Sequence, residues 1–367
     1  MTRIARLVFA WATLALFLLF GGTWINDQIS NTGVAVLLLW LFVTMLWSAF
    51  GVIEEADTLA DILGEPLGSL VLTLSIISLE GVLIGIAVLT SSAGATIGRD
   101  TLYGANMIMI NLAGGLALFL GGLRHREQTY NLQGTSAYLA VVITLSVLGM
   151  ILPSYTHAVP AGSVTNIQAA GIMVVTLFIY FTLLLIQIGR HKHFFVEAAP
   201  SENAEVGSSD SPSRSSAEVI VKHALLLVAG LLPIVLLGKY LTMLIDHASY
   251  KLAAPPALGG VIIALIVVSP KAISAVKAGI ANQPQRAINL ALGSCAPAMG
   301  LILPIILGIG IVTGKTVIMG VDSSGVIMLA LTLVLSALTF SGTHTTLLEG
   351  AAHLTVFFIY IVLMFSP

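Results

Sequence analysis

Two ionisable side chains sit where a charge is costly. Glu80 lies in "LGSLVLTLSIISLEGVLIG", residues 67–85, and Lys271 lies in "LGGVIIALIVVSPKAISAV", residues 258–276. Both stretches are otherwise apolar. A charge at the bilayer centre costs ~2.5 kcal/mol or more, so it turns inward and takes a partner. A buried carboxylate can hold a proton or a metal cation, and a buried ammonium gives up its proton readily. Facing each other, the two would be neutral while no cation is bound. A cation arriving at Glu80 would then displace the proton of Lys271. Plainer readings stand beside this one: a protonated Glu80 bonded to a backbone carbonyl, or a Lys271 that simply locks the carboxylate.

The rest of the chain must hold these residues in a membrane. Of 367 residues, 57% are hydrophobic and 9% charged, against about a quarter charged in soluble domains. The net charge of −2 says nothing of nucleic acid, no basic patch suggests such a partner, and none is expected. The lone Cys295 excludes an internal disulfide framework. A span needs ~20 mostly apolar residues. Eleven such stretches are read: 5–24, 33–53, 67–90, 102–123, 136–153, 168–189, 224–244, 258–280, 287–311, 325–341 and 346–365. The first has no small-residue cleavage site and is kept as a span rather than a signal peptide.

With the N-terminus in the cytoplasm, Arg3, Arg6, Arg124, Arg126, Arg190, Lys192, Arg214, Lys222, Lys277 and Arg286 face inward. Only Arg99, Lys251 and Lys315 fall in outer loops. This bias sets the N-terminus inside and the C-terminus outside, in a multi-pass protein of the inner (plasma) membrane. The Ser-, Pro- and acid-rich stretch 197–218 reads as disordered. It divides the chain into an N-terminal helix (1–32), a first repeat (33–190), a cytoplasmic linker (191–222) and a second repeat (223–367).

The repeats are visible in the residues. Residues 67–85 lie over 258–276 without a gap, matching Leu67–Gly68 to Leu258–Gly259 and Ser78 to Ser269, and placing Glu80 opposite Lys271. One helix later, "INLAGG" (110–115) resembles "INLALG" (288–293), which pairs Asn111 with Asn289. Five spans per repeat is an odd number, so the halves enter the membrane from opposite sides, and a site is expected where they meet at the midplane. The fold class is therefore an all-α integral membrane protein of eleven transmembrane helices, one N-terminal helix plus two inverted five-helix repeats.

The segments "LGEPLGSLVLTLS…LE", "RDTLYGANMIMINLAGGLALFLGGLRHREQTYNLQG" and "ANQPQRAINLALGS" resemble the bacterial calcium(sodium)/proton antiporters of the calcium/cation antiporter (sodium/calcium exchanger) superfamily. The likeness runs from about Ile53 to Pro367. It implies a ten-helix inverted-repeat core, one extra N-terminal helix, and two acidic residues, one per repeat, that bind calcium and protons alternately. The first acid falls on Glu80. The second falls on Lys271, because this chain reads Pro-Lys where the family reads Pro-Glu. Ala298 and Ile302 stand where the family carries a small hydroxyl residue and a threonine, and Pro297 is an addition.

Other candidates fall into two groups. Around the pair, Asn111 and Asn289 could offer amide oxygens, and Ser78, Ser269, Ser294 and Ser75 could offer hydroxyls. A serine in a helix more often bonds back to the preceding turn. Glu80 is the possible metal ligand. Pro297 and Pro304 are expected to break the ninth span, or merely to kink it. Away from the pair, Glu54, Glu55, Asp57, Asp61 and Glu65 form an acidic run that could attract cations to an entrance, or be an ordinary solvated helix. Glu349 and His353 share a helix face four residues apart. They could relay protons, with Glu349 as a helix N-terminal acid the simpler reading. His125 is expected in an exposed loop.

No HExxH, GxSxG or cysteine–histidine pairing is present, so an enzyme is not expected. The expected activity is exchange of a cation, calcium by the resemblance, for protons by alternating access. The alternatives are a monovalent (Na+/K+)/proton exchanger or a degenerate member without calcium transport, because Lys271 replaces the second acid. No cofactor is expected beyond the transported cation, and the partners are that cation, the proton and the lipid bilayer.

Overall fold

The computed structural model describes residues 2–64, 67–160, 162–188 and 217–366. Hydrocarbon offers no hydrogen bonds to a backbone, so a spanning chain satisfies its own as helix. Helices accordingly follow one another: α1 (Thr2–Trp24), α2 (Asn31–Leu63), α3 (Leu67–Thr90), α4 (Gly94–Asn106), α5 (Gly115–His125), α6 (Leu132–Ser146), α7 (Asn166–Ile188), α8 (Ala217–Lys251), α9 (Pro256–Ile280), α10 (Pro284–Pro297), α11 (Leu303–Thr313), α12 (Ser323–Thr339) and α13 (Leu347–Phe365). Among the described residues, nine helical segments are long and apolar enough to cross a membrane, and two shorter ones, Leu74–Thr90 and Ser323–Thr339, are also apolar.

Several segments join without a break. A π-helical stretch, Met107–Gly114, carries α4 into α5, and another, Ala298–Ile302, carries α10 into α11. A third, Val147–Ile151, extends α6. The ninth span is thus widened where a break was expected. Pro297 closes α10 and Pro304 follows the second π stretch, so the helix runs through both prolines without breaking. The expected linker, 191–222, is helical over 217–222, which open α8, while 191–216 and Glu65 lie outside the described residues.

The centre of the bundle is built from α4–α5, α9 and α10–α11. In their most apolar windows 67%, 61% and 56% of residues are buried, against 22–28% for α1, α7, α8 and α13. Close approach at the centre rests on small residues. A Cβ on Gly279 would strike the Ala117 carbonyl oxygen, and one on Gly260 would stand 2.6 Å from the Asp100 backbone. Gly279→Val is therefore expected to push α9 off α5 and to lower the yield of folded, monodisperse protein, measured by size-exclusion chromatography in detergent.

Outside this centre run the two longest helices, α2 (33 residues) and α8 (35 residues), packed along each other. Helix α1 is pinned to both by Phe17, whose ring lies 5.7 Å from Trp40 and 5.5 Å from Tyr240.

Short β contacts link distant loops. Gln128–Thr129 (β1) pairs antiparallel with His344–Thr345 (β2), and Ser163 forms a lone bridge with Ile318. Beside the ribbon, the Tyr130 hydroxyl donates to the Gly342 carbonyl at 2.7 Å. Burial first, and the charge of Glu349 second, push that phenol up to about 12, so it stays a donor. His125, expected to be exposed, is half-buried and bonds the Ile280 carbonyl at 2.9 Å, tying the end of α5 to α9.

Candidate cation site

Glu80 projects from α3 and Lys271 from α9, 191 positions apart in sequence. Lys271 Nζ lies 3.4 Å from Glu80 Oε1, and the residues are 8% and 4% exposed. Tight charge-assisted N–H···O bonds run about 2.7–2.9 Å, so this pair is in contact without being closed. Cys295 on α10 is buried in the field of both charges, and Tyr180 on α7 is buried in the field of Glu80. The Tyr180 ring packs over Gly300, inside the second π stretch.

Three of the hydroxyls predicted around the pair are committed as donors within their own helices. Ser75, Ser269 and Ser294 donate back to the carbonyls of Val71, Leu265 and Leu290. Ser78 is exposed, on the same stripe of α3 as Leu74 (60%) and Val82 (40%). Two positions from Glu80 is about 200° around a helix, so a side chain there turns away from the site.

The asparagine pairing by "INL" does not hold in three dimensions. Asn111 sits inside the first π stretch, while Asn289 lies in α10, well before the second. Asn289 accepts from Gln285 one turn back at 2.9 Å. Asn111 is fully buried. Its Nδ2 donates to Thr332 Oγ1 at 2.8 Å, and its Oδ1 accepts from His353 Nδ1 at 2.8 Å. With Nδ1 donating, His353 Nε2 accepts from the Thr339 hydroxyl at 3.2 Å. This network joins the first π stretch to α12 and α13.

Glu349 makes no hydrogen bond to His353. It completes a capping box with Thr346, accepting the Thr346 N–H at 2.9 Å and the Thr346 hydroxyl.

The acids placed at an entrance are bound to basic partners. Glu54 pairs with Arg3 at 3.0 Å and Arg6 at 2.6 Å, and the buried Glu55 pairs with Arg3 at 3.2 Å and His223 at 2.6 Å. The cluster clasps α1, α2 and α8 together. Asp57 and Asp61 remain exposed. Glu55→Ala leaves His223 without its carboxylate and Arg3 with Glu54 alone, and is expected to destabilise by about 1–3 kcal/mol. Glu54→Ala removes the pairs with Arg3 and Arg6 from a side chain that is 41% exposed and is expected to cost about 1 kcal/mol or less. Thermal unfolding in detergent checks the order.

One residue escaped the sequence reading. Asn106, the last residue of α4, is 0% exposed, and neither its Oδ1 nor its Nδ2 has a partner among the described residues. Its signal was the one that exposed Glu80, a polar side chain in an apolar run, and the "INL" match drew attention past it to Asn111.

A profile described as "Sodium/calcium exchanger protein" matches residues 33–189 and 222–366. The chain belongs to the sodium/calcium exchanger family. Within this family it is 33% identical over 367 residues to the "Sodium-potassium/proton antiporter ChaA" of Escherichia coli (strain K12), covering 100% of this chain and 98% of the relative. The exchanger fold also superposes on native YfkE with a TM-score of 0.74 at 15% identity, over 99% of this chain and 100% of that one. On a structure titled "Crystal Structure of H+/Ca2+ Exchanger CAX" the TM-score is 0.67 at 16% identity, over 99% and 89%. Many apolar helices and this family make the chain a multi-pass membrane protein.

Proposed function

We propose that this exchanger is a secondary antiporter that trades a cation for protons at the Glu80–Lys271 pair. The buried contact between those two side chains carries the reading. In the resting site Glu80 is a carboxylate and Lys271 an ammonium, so the pocket is neutral. A cation that binds Glu80 displaces the ammonium, and Lys271 releases one proton as the cation is taken up. On the other side of the membrane the proton returns to Lys271 and the cation leaves. One carboxylate thus supports exchange, where two acids would otherwise be needed.

Several features support the architecture this demands. Two of the three π stretches described open 27 residues after their half's charged residue, Glu80 to Met107 and Lys271 to Ala298. That equal spacing favours two related halves of five spans around α3 and α9, preceded by α1, with eleven crossings in all. An odd number per half inverts the second against the first. The basic residues favour a cytoplasmic N-terminus and an outer C-terminus. The E. coli relative is named for sodium, potassium and protons, and the CAX structure for calcium and protons, so these are the cations to test.

The test is proton release from acid-loaded everted vesicles on addition of Na+, K+ or Ca2+. A response to at least one, absent from vesicles lacking the protein, is expected. Silence to all three would overturn the proposal.

A further inference from the structure

We infer that Asn106 supplies the neutral oxygen ligand of the transported cation, and that the site it completes takes a monovalent ion. This rests on the antiport reading above and names its substrate class.

The first observation is the unmet amide. A buried polar group without a hydrogen bond is strongly disfavoured unless a guest occupies its place. Asn106 presents both an oxygen and an NH2 to the interior with no protein partner for either. Asn111, just beyond it, is equally buried but satisfied at both ends. The two amides are thus put to different uses, one to hold helices together and one left open.

The second observation is depth. Helices α3 and α4 form an antiparallel hairpin, and a Cβ on Gly98 would stand 3.3 Å from Val88 Cγ2. From that contact Glu80 and Asn106 are each eight residues further along, about 12 Å at the helical rise. They therefore share a level on adjacent helices. Asn106 also immediately precedes the π stretch at 107–114, and π insertions are frequent at functional sites because they re-aim side chains.

The third is charge. Glu80 as carboxylate, a monovalent cation and a neutral Lys271 sum to zero. The same site holding a divalent cation would carry one uncompensated positive charge in a low-dielectric interior, which is strongly disfavoured. Among the described residues no group of three His, Cys, Asp or Glu could hold a metal ion. An amide oxygen adds coordination without adding charge, which suits Na+ or K+.

The full-length protein, purified and reconstituted in proteoliposomes, is titrated with NaCl, KCl and CaCl2 while internal pH is recorded. The same protein in detergent is melted with and without each salt. Asn106→Leu is expected to raise the half-saturating Na+ or K+ about tenfold or more and to abolish the cation-induced rise in melting temperature. In cation-free buffer it should melt no lower than wild type, because the amide it loses has no partner. Asn106→Asp adds a second carboxylate at the level of Glu80 and is expected to lower the half-saturating Ca2+ about tenfold. If Asn106→Leu leaves Na+ and K+ half-saturation within about twofold, the amide holds only water and the inference falls. If wild type responds to Ca2+ alone, antiport stands and the monovalent assignment falls. If wild type responds to none of the three salts, both fall.

Discussion

Glu80→Gln will abolish cation-driven proton release while leaving the protein folded. Glutamine keeps the shape and one oxygen of glutamate but removes the charge that holds the cation against Lys271. The cation would then enter a buried site whose nearest ionisable group is an ammonium. Loss of a charge-assisted partner in such a place is worth about 3 kcal/mol or more, which is about 100-fold in exchange rate at fixed cation concentration. The fold should survive, because the glutamine amide oxygen can still accept from Lys271, so the contact is weakened rather than broken in a bundle held mainly by apolar packing. Proteoliposome flux measured beside size-exclusion behaviour separates the two effects. Exchange within about threefold of wild type would remove Glu80 from the mechanism.

The second large effect is expected at Lys271, where two substitutions part company. Lys271→Ala strands Glu80 as a buried charge without a counter-ion. Breaking one side of a buried pair typically costs ~3–5 kcal/mol, so this variant should be unstable in detergent and silent in flux. Lys271→Glu instead gives the pocket two carboxylates. Like charges held together keep a proton between them until a divalent cation displaces it, and calcium favours several charged oxygens. Calcium-driven proton release should therefore appear or strengthen by about tenfold or more, while the response to sodium and potassium falls. A Lys271→Glu protein that remains folded yet answers to the same ions as wild type would show that this position does not set selectivity.

The way the sequence pointed to some of these residues and away from others follows from what a linear pattern can encode. Glu80 and Lys271 stand out because a charge in an apolar run is disfavoured wherever the helix packs, so its presence alone is informative. The gapless match of 67–85 with 258–276 placed them opposite one another before any contact was known. Helices were equally readable, since ~20 apolar residues without a hydrogen-bonding solvent leave the backbone little alternative. The acidic run at Glu54 and Glu55 was visible as charge, but its partners were not. Arg3, Arg6 and His223 come from helices far away in sequence, and only folding brings α1 and α8 to that end of α2.

Asn111 and Asn106 show the same boundary most clearly. Both are amides in one apolar helix, five residues apart, and composition ranks them alike. Whether an amide is satisfied depends on what lies across the interface. Thr332 and His353 reach Asn111 from α12 and α13, and among the described residues no hydrogen-bonding group reaches Asn106. The π stretch that begins between them changes the angular relation of the two side chains, and no residue pattern announced it. The amino-acid sequence by itself determined that this chain crosses the membrane many times and carries an acid, Glu80, and a base, Lys271, deep within apolar spans. Which hydroxyls and amides face that pair, and which merely hold helices together, was decided by tertiary packing, because a hydrogen bond needs a partner in space and not a neighbour in the chain.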